Sequence, residues 1–108
     1  MSYLTIARIS GDPELLVEGY RQSSATMTDV GRAHSLIVHA AARTDDGLLI
    51  VNLWPSGDGS RAAAADPRRL GVIREHGLEP RQLKKEHYEV VNYVLFGSAE
   101  APEPLTRS

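Results

Sequence analysis

Apolar and β-branched residues dominate Tyr3 to Ile9, which predicts a short first strand. Ser10-Gly11-Asp12-Pro13-Glu14 then reads as a helix start. Asp12 caps free amides, Pro13 suits the first helical position, and Glu14 favours the positive end of the helix dipole. Leu16, Tyr20, Ser23, Met27 and Val30 recur at helical spacing and Gly31 is a natural stop, so the helix is expected over 13–29. Its last turns are weak, because Ser23, Ser24, Thr26 and Thr28 are poor helix formers. A second strand follows from His34 to Arg43. Thr44-Asp45-Asp46-Gly47 is a hairpin signal in which Asp-Gly supplies positive φ values, and the third strand runs from Leu48 to Trp54.

The helical region from Ser60 to His76 is broken at Asp66-Pro67, since a residue before proline avoids the helical conformation. A short helix or turn over Ser60–Ala65 is expected, then a helix capped by Asp66 and ended by Gly77, with Leu70 and Ile73 facing inward. Leu78 to Lys85 reads as a polar connector. Glu86 to Phe96 alternates as a long last strand, and 98–108 is a frayed tail to a single domain over 1–97.

The order β-α-β-β-α-β is the split βαβ arrangement of α+β, ferredoxin-like folds, with a four-stranded antiparallel sheet. Two helices can cover only one face of such a sheet. In the third strand, however, Leu49, Val51 and Leu53 point one way while Leu48, Ile50, Asn52 and Trp54 point the other. Neither face expects water, and a second copy packing sheet to sheet is the simplest cover. A homodimer is therefore expected from the residues themselves.

Composition narrows the function classes. The chain has 108 residues, 42% hydrophobic and 24% charged, which excludes disorder. It contains no cysteine, so disulfides, thiol catalysis and cysteine-held zinc are excluded. No apolar run approaches the roughly 18 residues of a membrane span. The N-terminus lacks the basic and apolar regions of a signal peptide, so a cytoplasmic location is the expectation. A net charge of −2 argues against nucleic-acid and membrane partners. Charge is unevenly spread, with Arg61, Arg68, Arg69, Arg74, Arg81, Lys84 and Lys85 facing only Asp66, Glu75 and Glu79 within 61–85. That segment either attracts an anionic small ligand or forms solvated faces.

Gly11-Asp12-Pro13-Glu14 and the block from His39 to Ser56, with its strand, turn, strand and Trp54-Pro55-Ser56, carry a family resemblance. The sequence resembles the dimeric α/β barrel proteins related to antibiotic biosynthesis monooxygenases, over about residues 3 to 96. The resemblance implies a sheet-to-sheet homodimer. It also implies a function among cofactor-independent oxygenases of aromatic polyketides, isomerases and members without a known reaction. Gly57-Asp58-Gly59 and the alanines 62–65 depart from the usual acidic residue and apolar pair after Trp-x-Ser. Haem-degrading members resemble one another in a strand-one Asn and a helix Trp that this chain lacks, so no haem is expected.

Candidate chemistry lies within the apolar elements. The loop from Pro55 to Ser60 has no lysine and carries Asp58, so it is a capping corner rather than a phosphate cradle. Trp54 is either a core residue or the wall of an aromatic pocket. Asn52 is a buried amide that ties the sheet or meets a substrate. His39 is a packed imidazole or a general base, and Tyr20 closes a pocket or packs. His34, His76 and His87 sit at element ends and read as surface residues, and no spacing suggests a metal site. The expectation is a cleft holding a small aromatic ligand, oxidised without cofactor. His39 and Asn52 would then assist deprotonation while Trp54 and Tyr20 orient the molecule. The competing expectation is a non-catalytic ligand-binding or structural dimer.

Overall fold

A computed structural model describes residues 1–76 and 82–96. The element order is β1 (Tyr3–Ser10), α1 (Pro13–Ala33), β2 (Val38–Thr44), β3 (Gly47–Trp54), α2 (Gly57–Ala64), α3 (Pro67–Glu75) and β4 (Leu83–Glu89). The four strands form one antiparallel sheet in the order β2-β3-β1-β4, the ferredoxin-like topology expected from the sequence. The expected helix stop at Gly77, most of the connector before Leu83 and the tail from 98 lie outside the described residues.

Asp12 caps α1 as expected, accepting the Glu14 amide at 2.9 Å with Pro13 in the first turn. The helix nevertheless runs four residues past the expected end at 29. Its serines and threonines are satisfied within the helix: Ser23 and Ser24 donate to the carbonyls of Tyr20 and Arg21, and Thr28 to that of Ser24. Gly31 is not the stop. The chain turns at Ser35, a non-glycine residue at φ 61°. Leu36 N–H bonds Gly31 C=O at 2.9 Å and Ser35 N–H bonds Arg32 C=O at 3.3 Å, the paired bonds of a Schellman motif. Gly31 instead makes room, since a Cβ there would stand 3.0 Å from Leu36 Cδ2.

This C-terminal motif also moves the start of the second strand. His34 to Leu36 belong to the turn, Ile37 N–H makes the first bond to Leu53 C=O at 2.8 Å, and β2 opens at Val38 rather than His34. The hairpin joins Thr44 to Gly47 through Asp45-Asp46. Gly47 does not adopt positive φ, against expectation. Its role is steric, because a Cβ would lie 1.8 Å from the Ile9 carbonyl oxygen of the adjoining strand. α2 begins earlier than expected, at Gly57, because Ser56 already accepts the Gly59 amide as its cap. Asp66 caps α3 as expected, but Leu70 is exposed and Val72 joins Ile73 on the inward side.

The last strand differs most. It spans Leu83–Glu89 rather than Glu86–Phe96, because β1 begins at Tyr3 and Tyr3 pairs with Glu89. One further bond, Val90 N–H to Ser2 C=O at 2.9 Å, exhausts the neighbour. Val91, Val94, Leu95 and Phe96 continue beyond it exposed.

Cross-strand partners share a face, so the register assigns every side chain to a layer. All three helices lie on the side carrying Trp54, Asn52, Ile50 and Leu48. Val30 of α1, Ala63 of α2 and Trp54 form the buried cluster, with Tyr3 and Leu36 against it. The opposite face presents Leu4, Ile6, Val38, Ala40, Leu49 and Val51, and no helix among the described residues packs there. At its β1–β4 side Glu86 accepts from Arg8 at 2.8 Å and from Tyr88 at 2.6 Å.

Candidate functional site

The helical layer does not lie flat on the sheet. α1 approaches β2 and β3, whereas α3 and β4 nowhere bring Cα atoms within 8 Å of each other. The space between is a cavity of about 470 Å³, open to solvent and lined mainly by apolar side chains. Its volume falls in the range of small-molecule sites, roughly 300–1,000 Å³. Ala64 lines it and Ala63 packs beside Trp54, so the alanine-rich helix leaves room where larger residues would fill the space.

A polar row crosses the apolar floor. His39 on β2 stands opposite Asn52 on β3, Asn52 opposite Thr5 on β1, and Thr5 opposite His87 on β4. All four line the cavity. His39 Nδ1 lies 2.7 Å from Asn52 Oδ1, and its Nε2 lies 2.7 Å from the hydroxyl of Tyr20, which descends from α1. Asn52 Oδ1 can only accept, so Nδ1 of His39 carries the ring proton. In the neutral imidazole Nε2 then holds a lone pair and accepts from the Tyr20 O–H. Burial raises the Tyr20 pKa above its ordinary value of 10, keeping the phenol a donor near neutrality.

Tyr20, His39 and Asn52, three of the four sequence candidates, are thus joined in one hydrogen-bonded chain. Trp54 stands apart from it. The indole is 5% exposed, and its N–H donates to Thr5 Oγ1 at 3.2 Å. It closes the core end of the cavity and holds Thr5, its polar atom already satisfied. Thr5 and His87 were expected on strands but not at the site, which they enter only through the register.

Two histidines read as surface residues are half-buried. His76 lines the cavity close to Gly19 of α1. His34 Nε2 lies 3.0 Å from Asp66 Oδ2, tying the end of α1 to the start of α3. Asp66 also accepts the Arg68 amide and two guanidinium bonds, and this set, Arg68 foremost, holds its carboxyl well below the usual carboxylate range. This cluster is structural, since Asp66 is absent from the cavity lining. Among the described residues no group of three His, Asp or Glu side chains is placed to hold a metal ion, and no helix is long and apolar enough to cross a membrane.

No family model and no curated protein matches the chain. Solved structures do. Rv0793 from Mycobacterium tuberculosis superposes with a TM-score of 0.67 at 17% identity, covering 88% of this chain and all of that one. SnoaB from Streptomyces nogalater, described as a cofactor-independent oxygenase, gives 0.55 at 16% identity, covering 87% of this chain and 94% of that one. A dimeric ferredoxin-like protein of unknown function from Thermobifida fusca gives 0.59 at 14% identity, covering 83% of this chain and 92% of that one. Similarity at this level is a statement about architecture: the chain has the ferredoxin-like fold of the antibiotic biosynthesis monooxygenase-like proteins.

Proposed function

We propose that the helix–sheet cavity binds a small aromatic molecule and that Tyr20, His39 and Asn52 serve its cofactor-independent oxidation by dioxygen. The observation that carries this reading is the Tyr20–His39–Asn52 chain opening onto an apolar cavity of about 470 Å³. Likeness of fold to a cofactor-independent oxygenase supports it.

In this reading His39 is the base. Asn52 fixes the tautomer so that the Nε2 lone pair meets the Tyr20 hydroxyl, and a phenol or an acidic C–H of the ligand delivers its proton through Tyr20, which passes its own to Nε2. The resulting electron-rich anion reacts with dioxygen. For an anthrone-like substrate a ring CH₂ becomes C=O, with one oxygen atom entering the product and the other leaving as water. Apolar walls lower the local dielectric and so strengthen each polar contact inside. Trp54 shapes the closed end, and Tyr20 orients the oxygen-bearing edge.

The acting unit in this reading is a homodimer. Half-exposed Leu4, Ile6, Leu49 and Val51 on the open sheet face, and the exposed apolar residues after Glu89, favour cover by a second copy. The dimeric description of the Thermobifida fusca protein supports the same assembly.

Dioxygen uptake with anthrone tests the activity. Purified protein is expected to accelerate uptake, and His39→Gln and Tyr20→Phe to reduce the rate by about 10² or more, the scale of general acid–base catalysis. Acceleration that both variants retain would sink the assignment of roles. No acceleration, with aromatic ligands still bound, would favour the non-catalytic binding dimer.

A further inference from the structure

Some basic side chains among the described residues are paired with a carboxylate, and two that line the cavity are not. Arg8, Arg21, Arg43, Arg61 and Arg68 each lie within ion-pair distance of a carboxylate. Arg69 and Lys85, which line the cavity from α3 and β4, have no carboxylate partner among the described residues. Arg69 donates to the Ala64 carbonyl at 3.1 Å, a neutral acceptor. Lys85 stands opposite Ala7 on the helix side of the sheet, one row from Thr5 and His87. His76 and His87 line the same opening. Among the described residues the lining contains one acidic residue, Asp12, and its carboxylate already accepts the Glu14 amide.

We infer that the opening between α3 and β4 is an anion-binding subsite, in which Lys85 and Arg69 hold a carboxylate or similar acidic group of the ligand. This deepens the small-molecule reading and rests on it. The ligand is then an aromatic acid, with its ring system over Ala7 and Ile50 and its anionic group at the mouth.

The physical reason is an unbalanced charge. Two like charges face a partly dry space with no counter-ion among the described residues, an arrangement that costs free energy until an anion enters. Burial lowers the pKa of Arg69, and both burial and the nearby Arg69 charge lower that of Lys85. Lys85 keeps contact with solvent, which places it at the mouth and gives a charged ligand a route in. A guanidinium and an ammonium together suit a carboxylate, the first by its planar fork and the second as a mobile point charge.

Paired probes differing only in charge test the inference. The full chain is titrated by calorimetry with 2-naphthoate and with neutral 2-naphthamide. The acid is expected to bind about tenfold more tightly, as a charge-assisted hydrogen bond gives. Lys85→Gln should bring the ratio near one chiefly by weakening the acid, and Lys85→Arg should restore it. Lys85 is the residue of choice because Arg69 also ties α3 to the end of α2. Equal binding of both probes to the wild type, or a preference that survives Lys85→Gln, overturns the anion subsite and leaves the aromatic cavity standing. If neither probe binds, both readings fall together.

Discussion

His39 and Asn52 stand directly opposite each other on β2 and β3, and the imidazole Nδ1 meets the amide Oδ1 at 2.7 Å. That one contact decides which ring nitrogen carries the proton and so which one offers a lone pair to Tyr20. Asn52→Leu removes the acceptor and leaves Nδ1–H without a partner. ¹⁵N NMR of the imidazole is expected to show the single Nδ1–H tautomer in the wild type and a mixture in the variant. A wild type already populating both tautomers would refute the assigned network.

Asp66 makes stability pH-dependent in acid. Its folded pKa is depressed below the ordinary 3.8, chiefly by its bonds to Arg68 and then by that to His34. A depressed carboxylate contributes stability that is fully present above the unfolded value and is lost as pH falls through the folded one. Urea midpoints should therefore be steady from pH 7 down to about 5 in respect of this group and fall below about 4. Asp66→Asn should lower the midpoint at pH 7 and flatten that acid limb. A variant with the wild-type pH profile would remove Asp66 from the account.

Ser35 carries the strain of the α1 terminus at φ 61°. Glycine occupies this conformation without the Cβ penalty, so Ser35→Gly is expected to stabilise the fold by ~1 kcal/mol, offset in part by the entropy of a freer unfolded chain. Thermal unfolding measures the balance. A lower melting temperature would show that the Schellman turn is relieved in some other way.

Self-association is read by light scattering on a size-exclusion column, with a mass near twice the 11.8 kDa chain expected. Val51→Lys puts a charge at the centre of the open face and should yield a folded monomer. A monomeric wild type would overturn the sheet-to-sheet dimer. A Val51→Lys variant that stays dimeric would place the interface elsewhere.

The caps of α1 and α3 were legible from single residues, because Asp12 and Asp66 act on amides two positions away. The break at Asp66-Pro67 and the two-faced apolar strand at Leu48–Trp54 were legible for the same reason, being local facts of sterics and periodicity. Where local rules pointed the wrong way, a distant neighbour had intervened. Gly31 continues a helix because Leu36 folds back onto it, and Gly47 is required by the Ile9 carbonyl rather than by its own φ. β4 stops at Glu89 because β1 begins opposite it, at Tyr3, although alternation continues to Phe96.

The candidate site divides along the same line. Residue type alone marked Tyr20, His39, Asn52 and Trp54, since polar or aromatic groups within apolar elements need partners. Which groups become partners was decided by strand register, a sum of hydrogen bonds and packing across residues far apart in the chain, as Thr5 and His87, 82 positions apart, illustrate. Register put His39 between Asn52 and Tyr20, drew Trp54 away to Thr5, and set Lys85 beside Ala7 under an open gap. Local sequence determines what a side chain is able to do; only the tertiary structure decides what stands within 3 Å of it, because hydrogen bonding and desolvation act over contact distances and not along the chain.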